Sequence, residues 1–296
     1  PSIFSKINLG QVYFNSTANA FKVTEQPVPA GSWSSGGNIN TPRGFNTGAG
    51  TQTSALSIAG YNPSGTLDVV ENYNGTSWTE IAEVNDGRSE GSAFGTSSSA
   101  NFAGGNSTSA PGRVASNESW NGSSWTEVNN MPATTDGLMQ GAGTSTAGMV
   151  VGGQTSPGAG GKTTNNVFYD GTNWTAQASL NIPRSLAAVS GNQTSALIAS
   201  GLTGSPTSST ANVEQWNGSA WTEVGNVNSA RYRVVGSGNG DSSIAFGGTN
   251  YPSTTQYALT EAWNGSSWTE IADLSTGREG GSSTTNTGAT SSLHAG

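Results

Sequence analysis

A tryptophan returns about every 47 residues along this 296-residue chain, and this period constrains the fold more than any other feature. The spacings between successive members are 45, 47, 49, 47 and 47 residues. The members are Trp33, Trp78, Trp125, Trp174, Trp221 and Trp268. Such a period is typical of repeat architectures, in which one supersecondary unit cannot bury its apolar face alone. We therefore expect one domain made of six related units.

The residues around each tryptophan indicate a β-hairpin. In the unit that contains Trp221, residues 211–216 and 221–224 are β-prone, and Asn217-Gly218 lies between them. Asn-Gly between two such runs is a strong hairpin signal. A two-residue turn would make Trp216 and Trp221 diagonal neighbours, and a four-residue loop would place them directly opposite each other. Either register gives each hairpin one aromatic face.

An arginine stands ten residues after five of the six tryptophans, and Thr135 replaces it after Trp125. The five are Arg43, Arg88, Arg184, Arg231 and Arg278. Two short β-prone stretches follow, which in one unit are residues 185–189 and 196–200 and end on Gly201. Each unit thus contains four short strands, as the blade of a β-propeller does.

This pattern resembles the kelch repeat, whose period is about 50 residues. The matching features are a glycine pair such as Gly247-Gly248 after the second strand, a Val-Glu-x-Trp/Tyr third strand and the tryptophan of the fourth. The resemblance implies an all-β fold, a six-bladed kelch-like β-propeller spanning residues 21–296. It implies no particular function, because kelch propellers serve several.

Both termini of the chain are expected to contribute to the last blade. Residues 278–296 would supply its inner strands, and residues 21–35 its outer ones, as Phe21–Glu25 and Ser32–Ser34. Closure of this kind removes open sheet edges. Residues 1–20 are surplus to the ring, and residues 11–23 favour a strand–turn–strand. We expect an N-terminal docking arm with these partner contacts: Ile3, Phe4, Ile7, Tyr13 and Phe14.

Strand order assigns the loops that connect the strands to two faces. One face would have the near-identical Asn-Gly turns, and the other the arginines, around a channel mouth, with the links that differ most between units. Binding residues concentrate on loops held by a rigid scaffold, so the variable face is the candidate recognition surface. Its candidate ligand-binding residues are Tyr61, Arg113, Lys162, Tyr251 and Tyr257.

Two alternatives apply to the repeated residues. The arginines could bind an anion, as clustered arginines do in six-bladed sialidases, or tie the blades together through carbonyl groups or a glutamate such as Glu80 or Glu223. Recurrence in five units favours the structural role, because an active site is normally asymmetric around a ring. The tryptophans could stack on sugars, but equivalent residues in every blade are better explained as core.

Composition argues against several classes of protein. The formal charge of −8 is unsuited to nucleic acid, and no apolar run reaches the roughly 20 residues of a membrane helix. The chain has no cysteine, and His294 is its one histidine. We therefore expect no metal site, no cofactor and no enzymatic activity, since no catalytic constellation is visible.

The run Gly10–Thr17 through Phe21–Val23, and the Trp-Asn-Gly-Ser-Ser-Trp-Thr-Glu repeats, look like segments of tail-fibre and other virion proteins of marine bacteriophages. The resemblance implies a virion structural protein on the particle exterior. Its partners would be other virion proteins, through residues 1–20, and a host surface glycan or protein, with homo-oligomerisation left open. The alternatives are a cellular kelch-like interaction module, extracellular or on the cell surface, and, least favoured, a sialidase-like glycoside hydrolase.

Overall fold

The computed structural model describes residues 31–108, 112–138, 140–156, 159–204, 207–253, 255–284 and 291–296, and the backbone of strands Val12–Asn15 and Ala20–Val23. These residues form an all-β structure, and the helical segment within them is a short 3-10 turn at Ala159–Gly161. Within this part of the chain, no helix has the length and apolar character needed to cross a membrane.

Five four-stranded antiparallel sheets make up most of the molecule, and we number them 1 to 5 in chain order. Sheet 1 contains Thr47–Thr51, Ser54–Asn62, Gly65–Tyr73 and Trp78–Ile81. Sheet 2 contains Ser92–Thr96, Ser99–Ala103, Asn117–Trp120 and Trp125–Val128. Sheet 3 contains Ala142–Thr144, Ala147–Val151, Asn166–Tyr169 and Trp174–Ala176. Sheet 4 contains Ala188–Gly191, Ala196–Ala199, Val213–Trp216 and Trp221–Val224. Sheet 5 contains Val235–Gly238, Ser243–Phe246, Thr260–Trp263 and Trp268–Glu270. The four-stranded unit predicted from the repeat is therefore present in these five sheets.

Smaller sheets accompany these five. Two are three-stranded and contain Arg88–Ser89, Asn106–Ser107 and Gly112–Arg113, and Arg184–Ser185, Leu202–Thr203 and Ser208–Ser209. Two are two-stranded and contain Val12–Asn15 with Ala20–Val23, and Ser282–Ser283 with His294–Ala295. Residues 184–185, which the sequence placed in an inner strand, thus belong to a separate small sheet.

The hairpin loops are longer than a two-residue turn. Trp216 lies directly opposite Trp221, so four residues connect the strands. Gly218 has φ of 95°, whereas Asn217 is not among the residues with positive φ, so the turn is not type I′. The Asn217 side chain instead accepts the N–H groups of Ser219 and Ala220, at 2.9 Å each. An Asx-type loop therefore places the two tryptophans directly opposite each other, with their ring centres 5.5 Å apart and their planes tilted by 44°.

The core lies between consecutive sheets, and the tryptophans form much of it. Side chains of sheets 1 and 2 share one apolar cluster, and side chains of sheets 3 and 4 share another. Trp125 and Trp221 are 7% and 5% exposed. An aromatic side chain buries about 150–250 Å², or at most about 4–6 kcal/mol of hydrophobic stabilisation. This burial supports the core role over sugar stacking.

The N-terminal hairpin and the last strands form two separate sheets. Ala20–Val23 pairs with Val12–Asn15, two strands that the sequence predicted, and not with His294–Ala295, and residues 16–19 between the two strands lie outside the described residues. Ser32–Ser34, expected as a strand, has none. Trp33 turns towards sheet 5 instead, where its Nε1 donates to Thr260 Oγ1 at 3.0 Å. The four-stranded last blade is therefore not seen in the form predicted.

The first strands of the sheets contact one another in sequence. The first strand of each of sheets 1 to 4 contacts the first strand of the next sheet. Ser282–Ser283 then contacts the first strand of sheet 5 on one side and the first strand of sheet 1 on the other. The contacts between these strands therefore lead from sheet 1 to sheet 5 and, through Ser282–Ser283, back to sheet 1.

Candidate functional site

A buried cluster of arginine, glutamate and asparagine recurs in four units. In sheet 4, Arg184 Nη2 lies 2.7 Å from Glu214 Oε1, and Glu214 Oε2 accepts the backbone and side-chain N–H groups of Asn181 at 2.7 and 2.9 Å. Arg184 also donates to the carbonyl groups of Ser200 and Asn212. The remaining clusters are Arg43–Glu71–Asn40, Arg88–Glu118–Asn85 and Arg231–Glu261–Asn228.

These contacts correct the sequence-based picture of the arginines. Burial lowers the pKa of Arg184, and the carboxylate of Glu214 opposes that shift. The partner is the third-strand glutamate, not Glu223, whose carboxylate accepts Asn212 Nδ2. Arg43, Arg88, Arg184 and Arg231 are at most 6% exposed, and their contacts hold strands together.

The third unit lacks the whole cluster. Pro132, Thr135 and Val167 stand where the other units have asparagine, arginine and glutamate. A cavity of about 20 Å³ lies among these three residues and their neighbours, room for about one water molecule. The three members are thus present together or absent together in sheets 1 to 5, which indicates that they act as a unit.

Arg278 differs from the other four. Its side chain is exposed, and its Nη1 donates to the carbonyl of Gly296 at 3.1 Å. No acidic group pairs with it among the described residues. In the part of the sixth unit that the structure describes, the arginine of the cluster is therefore present without a carboxylate partner.

The variable links form short backbone pairings with the chain segments that contain or follow the arginines. In the second unit Asn106 pairs with Ser89 and with Arg113, and in the third unit Gln154 pairs with Asp136 and with Lys162. The corresponding bridges elsewhere are Gly44 to Tyr61, Ser185 to Leu202 to Ser209, and Tyr232 to Thr249 to Gln256. The links are thus attached by backbone pairing to the chain that leads into each sheet.

Six equivalent residues, which we call the ring residues, stand two positions after the arginine or its replacement. They are Phe45, Glu90, Gly137, Leu186, Arg233 and Gly280. All six have left-handed φ, between 55° and 68°. Each non-glycine residue in this conformation costs about 1 kcal/mol relative to glycine.

Backbone hydrogen bonds join the ring residues from one unit to the next. Phe45 donates to Gly280, Glu90 to Phe45, Leu186 to Gly137, Arg233 to Leu186 and Gly280 to Arg233, at 2.5–3.3 Å. The remaining step is made by Leu138, next to Gly137, which donates to Glu90 at 3.2 Å. The series of six bonds returns to its starting point.

The four non-glycine ring residues have side chains of different chemistry. The Arg233 guanidinium lies 4.6 Å from the centre of the Phe45 ring, 5.3 Å from that of Tyr232, and 3.0 Å from the Glu279 carboxylate. Leu186 adds an apolar side chain. A cation and two aromatic rings therefore meet around Arg233, whereas the third and sixth units have glycine at the equivalent position.

Acidic and basic groups of the second and third units meet beside the ring. Arg113 Nε donates to Asp136 at 2.8 Å. Burial, and then the charge of Asp136, raises the pKa of Glu90. Burial, and then the charge of Arg113, lowers the pKa of Lys162. Arg113 and Lys162, two of the predicted ligand residues, thus lie in one charged group with Glu90.

Tyr251 and Tyr257, two of the predicted tyrosines, lie on the variable link of sheet 5, and the third, Tyr61, lies near the end of strand Ser54–Asn62. Tyr61 and Tyr251 are the most exposed large hydrophobic side chains of the described residues, at 43% and 45%. Tyr257 is half-buried, and its hydroxyl lies 3.4 Å from Asn250 Nδ2. Tyr251 N–H donates to Ser209 Oγ, which connects the links of sheets 5 and 4.

One buried polar side chain bonds to several of the first strands. Gln140 is 1% exposed, and its Nε2 donates to the carbonyl of Gly236 and to Ser283 Oγ. Its Oε1 accepts the N–H groups of Val189 and Gly236. The polar side chain of Gln140, from the third unit, therefore joins the first strands of sheets 4 and 5 to Ser283.

The ring residues were not among the candidates that the sequence suggested. Their signal was the offset of two from the arginine, where Gly137 and Gly280 hint at a left-handed backbone. The predicted docking residues Ile3, Phe4 and Ile7 lie outside the described residues, and Tyr13 and Phe14 belong to strand Val12–Asn15.

Comparison with known proteins adds no identification: no protein-family model matches the chain, and no curated protein resembles it significantly. Within the described ranges, no group of three or more histidine, aspartate or glutamate side chains is placed to hold a metal ion.

Proposed function

We propose that the five sheets and the pair Ser282–Ser283 and His294–Ala295 are the blades of a closed six-bladed kelch-like β-propeller. Two independent series support closure. The contacts between inner strands lead from sheet 1 to sheet 5 and back through residues 282–283. The hydrogen bonds between the ring residues do the same. Residues 21–35 remain the proposed source of the outer half of the sixth blade.

On this scaffold we propose a non-enzymatic virion structural protein of a bacteriophage, a tail fibre or another tail or capsid appendage. The resemblance of residues 10–23 and of the tryptophan repeats to marine phage proteins supports this assignment. Residues 1–20 would dock to another virion protein, and the face with the ring residues would point outwards to a host glycan or protein. Where the protein acts as a decoration or connector, both faces would be packing surfaces.

The observation that supports recognition is the backbone strain at four ring residues. Gly137 and Gly280 show that glycine suffices to build the ring. Phe45, Glu90 and Arg233 are instead held in the left-handed conformation with partly exposed side chains. Strain of about 1 kcal/mol at each is understandable where the side chain has a role beyond folding.

Glycine substitution of Glu90 tests this role. Glu90→Gly relieves the left-handed strain and removes a half-buried carboxylate, so we expect stability to stay equal or rise in urea unfolding. Adsorption of particles with this variant to host cells should fall at least tenfold. Glu80→Gln, on an exposed residue, is the matched control. Unchanged adsorption would argue against this face as the receptor site.

Counting copies in purified particles tests the virion assignment. Quantitative mass spectrometry should find a few copies per particle for a tail protein, or many, scaling with the capsid protein, for a decoration. Absence from particles would contradict the virion proposal and favour a cellular kelch-like interaction module.

Removal of residues 1–10 tests the docking arm. We expect the shortened chain to fold, with an unchanged urea midpoint, and to be missing from particles. Normal incorporation would contradict docking through this segment.

A further inference from the structure

A groove of about 740 Å³ lies beside the last two strands, and we call it the terminal groove. Its lining includes Trp33, Tyr73, Trp78, Arg278, Ser292 and His294. The aromatic rings give it apolar walls, and Arg278 places an exposed guanidinium in it. Its size and its mixed apolar and charged lining would suit a bound segment of polypeptide.

Two polar atoms at the groove also lack partners. Ser292 is 8% exposed, and its Oγ has no hydrogen-bond partner. His294 Nε2 is buried and has none either, while its Nδ1 lies 3.0 Å from the carbonyl of Ser282. Buried polar atoms are normally satisfied, so the groove is incomplete as it stands.

The five complete sheets show what the groove is missing. In each of them the second strand pairs with a third strand on its outer side, whereas His294–Ala295 pairs with Ser282–Ser283 alone among the described strands. In four of the five, the third strand brings a glutamate to the arginine, at 2.7–3.2 Å. The third sheet, without the glutamate, has no arginine either. An arginine at position 278 therefore indicates a carboxylate from a third strand.

The chain contains one candidate for that carboxylate. Residues 1–30 include a single acidic residue, Glu25. It stands eight residues before Trp33, and the cluster glutamates Glu71 and Glu214 stand seven residues before Trp78 and Trp221. Glu25 is thus placed in its repeat as those glutamates are in theirs, with one extra residue in the connection.

We propose that the N-terminal segment that precedes Gly31 enters the terminal groove as the third strand of the last blade, and that Glu25 pairs there with Arg278. The proposal deepens the closed propeller proposed above and rests on it. The bond would be the fifth between a repeated arginine and a third-strand glutamate, and it would bury Arg278. It would also fix the proposed docking arm, residues 1–20, at a defined edge of the propeller.

A double-mutant cycle in the full chain tests the pair. Glu25→Gln and Arg278→Gln should each lower the urea midpoint, and the double variant should be no less stable than the worse single variant. The charge exchange Glu25→Arg with Arg278→Glu should recover part of the loss. Glu80→Gln, on an exposed strand residue, is the control. Additive effects of the two substitutions would overturn the pairing.

Hydrogen exchange gives a second readout that does not depend on the size of the stability change. Amides of residues 23–27 and 294–295 should exchange slowly in the native chain, and at least tenfold faster in Arg278→Gln. Fast exchange in the native chain would overturn the proposal.

Size-exclusion chromatography separates one further outcome. A monomer with coupled substitutions supports insertion within one chain, whereas a dimer with the same coupling would overturn it in favour of insertion into a second copy. The amides of Arg233 and Gly280 could be protected from exchange while those of residues 23–27 are not. This result would support the closed propeller and overturn insertion of the N-terminal segment as a third strand. None of these measurements depends on particles or host cells, so the virion assignment is tested separately.

Discussion

A fully buried guanidinium is tolerated in this molecule because each one has a carboxylate and backbone carbonyl groups within hydrogen-bond distance. Arg184 and Glu214 both have side chains with 0% exposure. Desolvation of the two charges offsets much of their attraction, so the pair adds little net stability over an apolar pair. Its presence matters mainly because removal of one partner leaves the other charge buried.

Removing one member of this pair should therefore be costly. Arg184→Met leaves Glu214 buried without a cation, with the N–H groups of Asn181 and Ile182 as its donors, and we expect a loss of about 3–5 kcal/mol in urea unfolding. The double variant Arg184→Met/Glu214→Leu should cost less than the sum of the single changes. Thr222→Ala, on an exposed residue of the same sheet, should change stability by less than about 0.5 kcal/mol. Additive single effects would contradict a coupled pair.

The only histidine gives the molecule a pH-dependent element. Burial, and then the charge of Arg278, lowers the pKa of His294 to about 4. Unfolded histidine has a pKa of about 6.5, so the folded state favours the neutral ring. Its contribution to stability is fully present above about pH 6.5 and is lost as the pH falls through the folded pKa of about 4.

The direction of this pH dependence can be checked with His294→Gln, because glutamine has no titratable group. The urea midpoint of the native chain should exceed that of the variant most at pH 7, and the gap should narrow as the pH falls to 4. Subtracting the variant removes the effect of carboxylates, which titrate in the same range. A gap that is constant with pH would show that His294 titrates normally in the folded state.

At the scale of the element, the third unit shows how the sheet does without its polar cluster. Thr135 is 5% exposed, and the cavity near it has about 20 Å³. Val167→Glu alone would bring a carboxylate to this place without a cation, and we expect a loss of stability. Adding Thr135→Arg should restore part of it, with a favourable coupling of at least about 1 kcal/mol in a double-mutant cycle. Zero coupling would mean that the cluster geometry is specific to the other units.

The sequence predicted the strands better than it predicted their contacts. The tryptophan period and the Asn-Gly loops located third and fourth strands such as Val213–Trp216 and Trp221–Val224 within two residues. The partner of Arg184 was missed because Val213, Glu214 and Trp216 are all buried. Alternation of polar and apolar residues therefore gives no sign of which side chain faces the arginine.

The ring residues and the terminal groove were missed for other reasons. A left-handed backbone is visible in a sequence where glycine marks it, as at Gly137 and Gly280, but not at Phe45. The groove results from packing between segments far apart in the chain, so no local sequence pattern predicts it. Trp33 was expected in a strand because its spacing fits, and its contact with Phe246 shows that tertiary packing decided otherwise.

At the scale of the whole molecule, closure should make the six units unfold as one. In an open row of repeats, stability is roughly a sum over units and neighbouring interfaces, and damage at one end affects only that end. In a closed ring the last unit has two neighbours. Ser282–Ser283 contacts the first strands of both sheet 5 and sheet 1, which are far apart in sequence.

Gly280 offers the sharpest test of this closure. Its φ is 68°, it donates to Arg233, and its carbonyl accepts from Phe45. Proline fixes φ near −65° and has no N–H, so Gly280→Pro should break the ring at both bonds. Gly280→Ala keeps the N–H and should cost only about 1 kcal/mol. In the proline variant, amides of Thr47–Thr51 and of Val235–Gly238 should both exchange faster, and the urea transition should stay single. Faster exchange confined to Val235–Gly238 would instead indicate an open row of sheets that ends at the sixth unit.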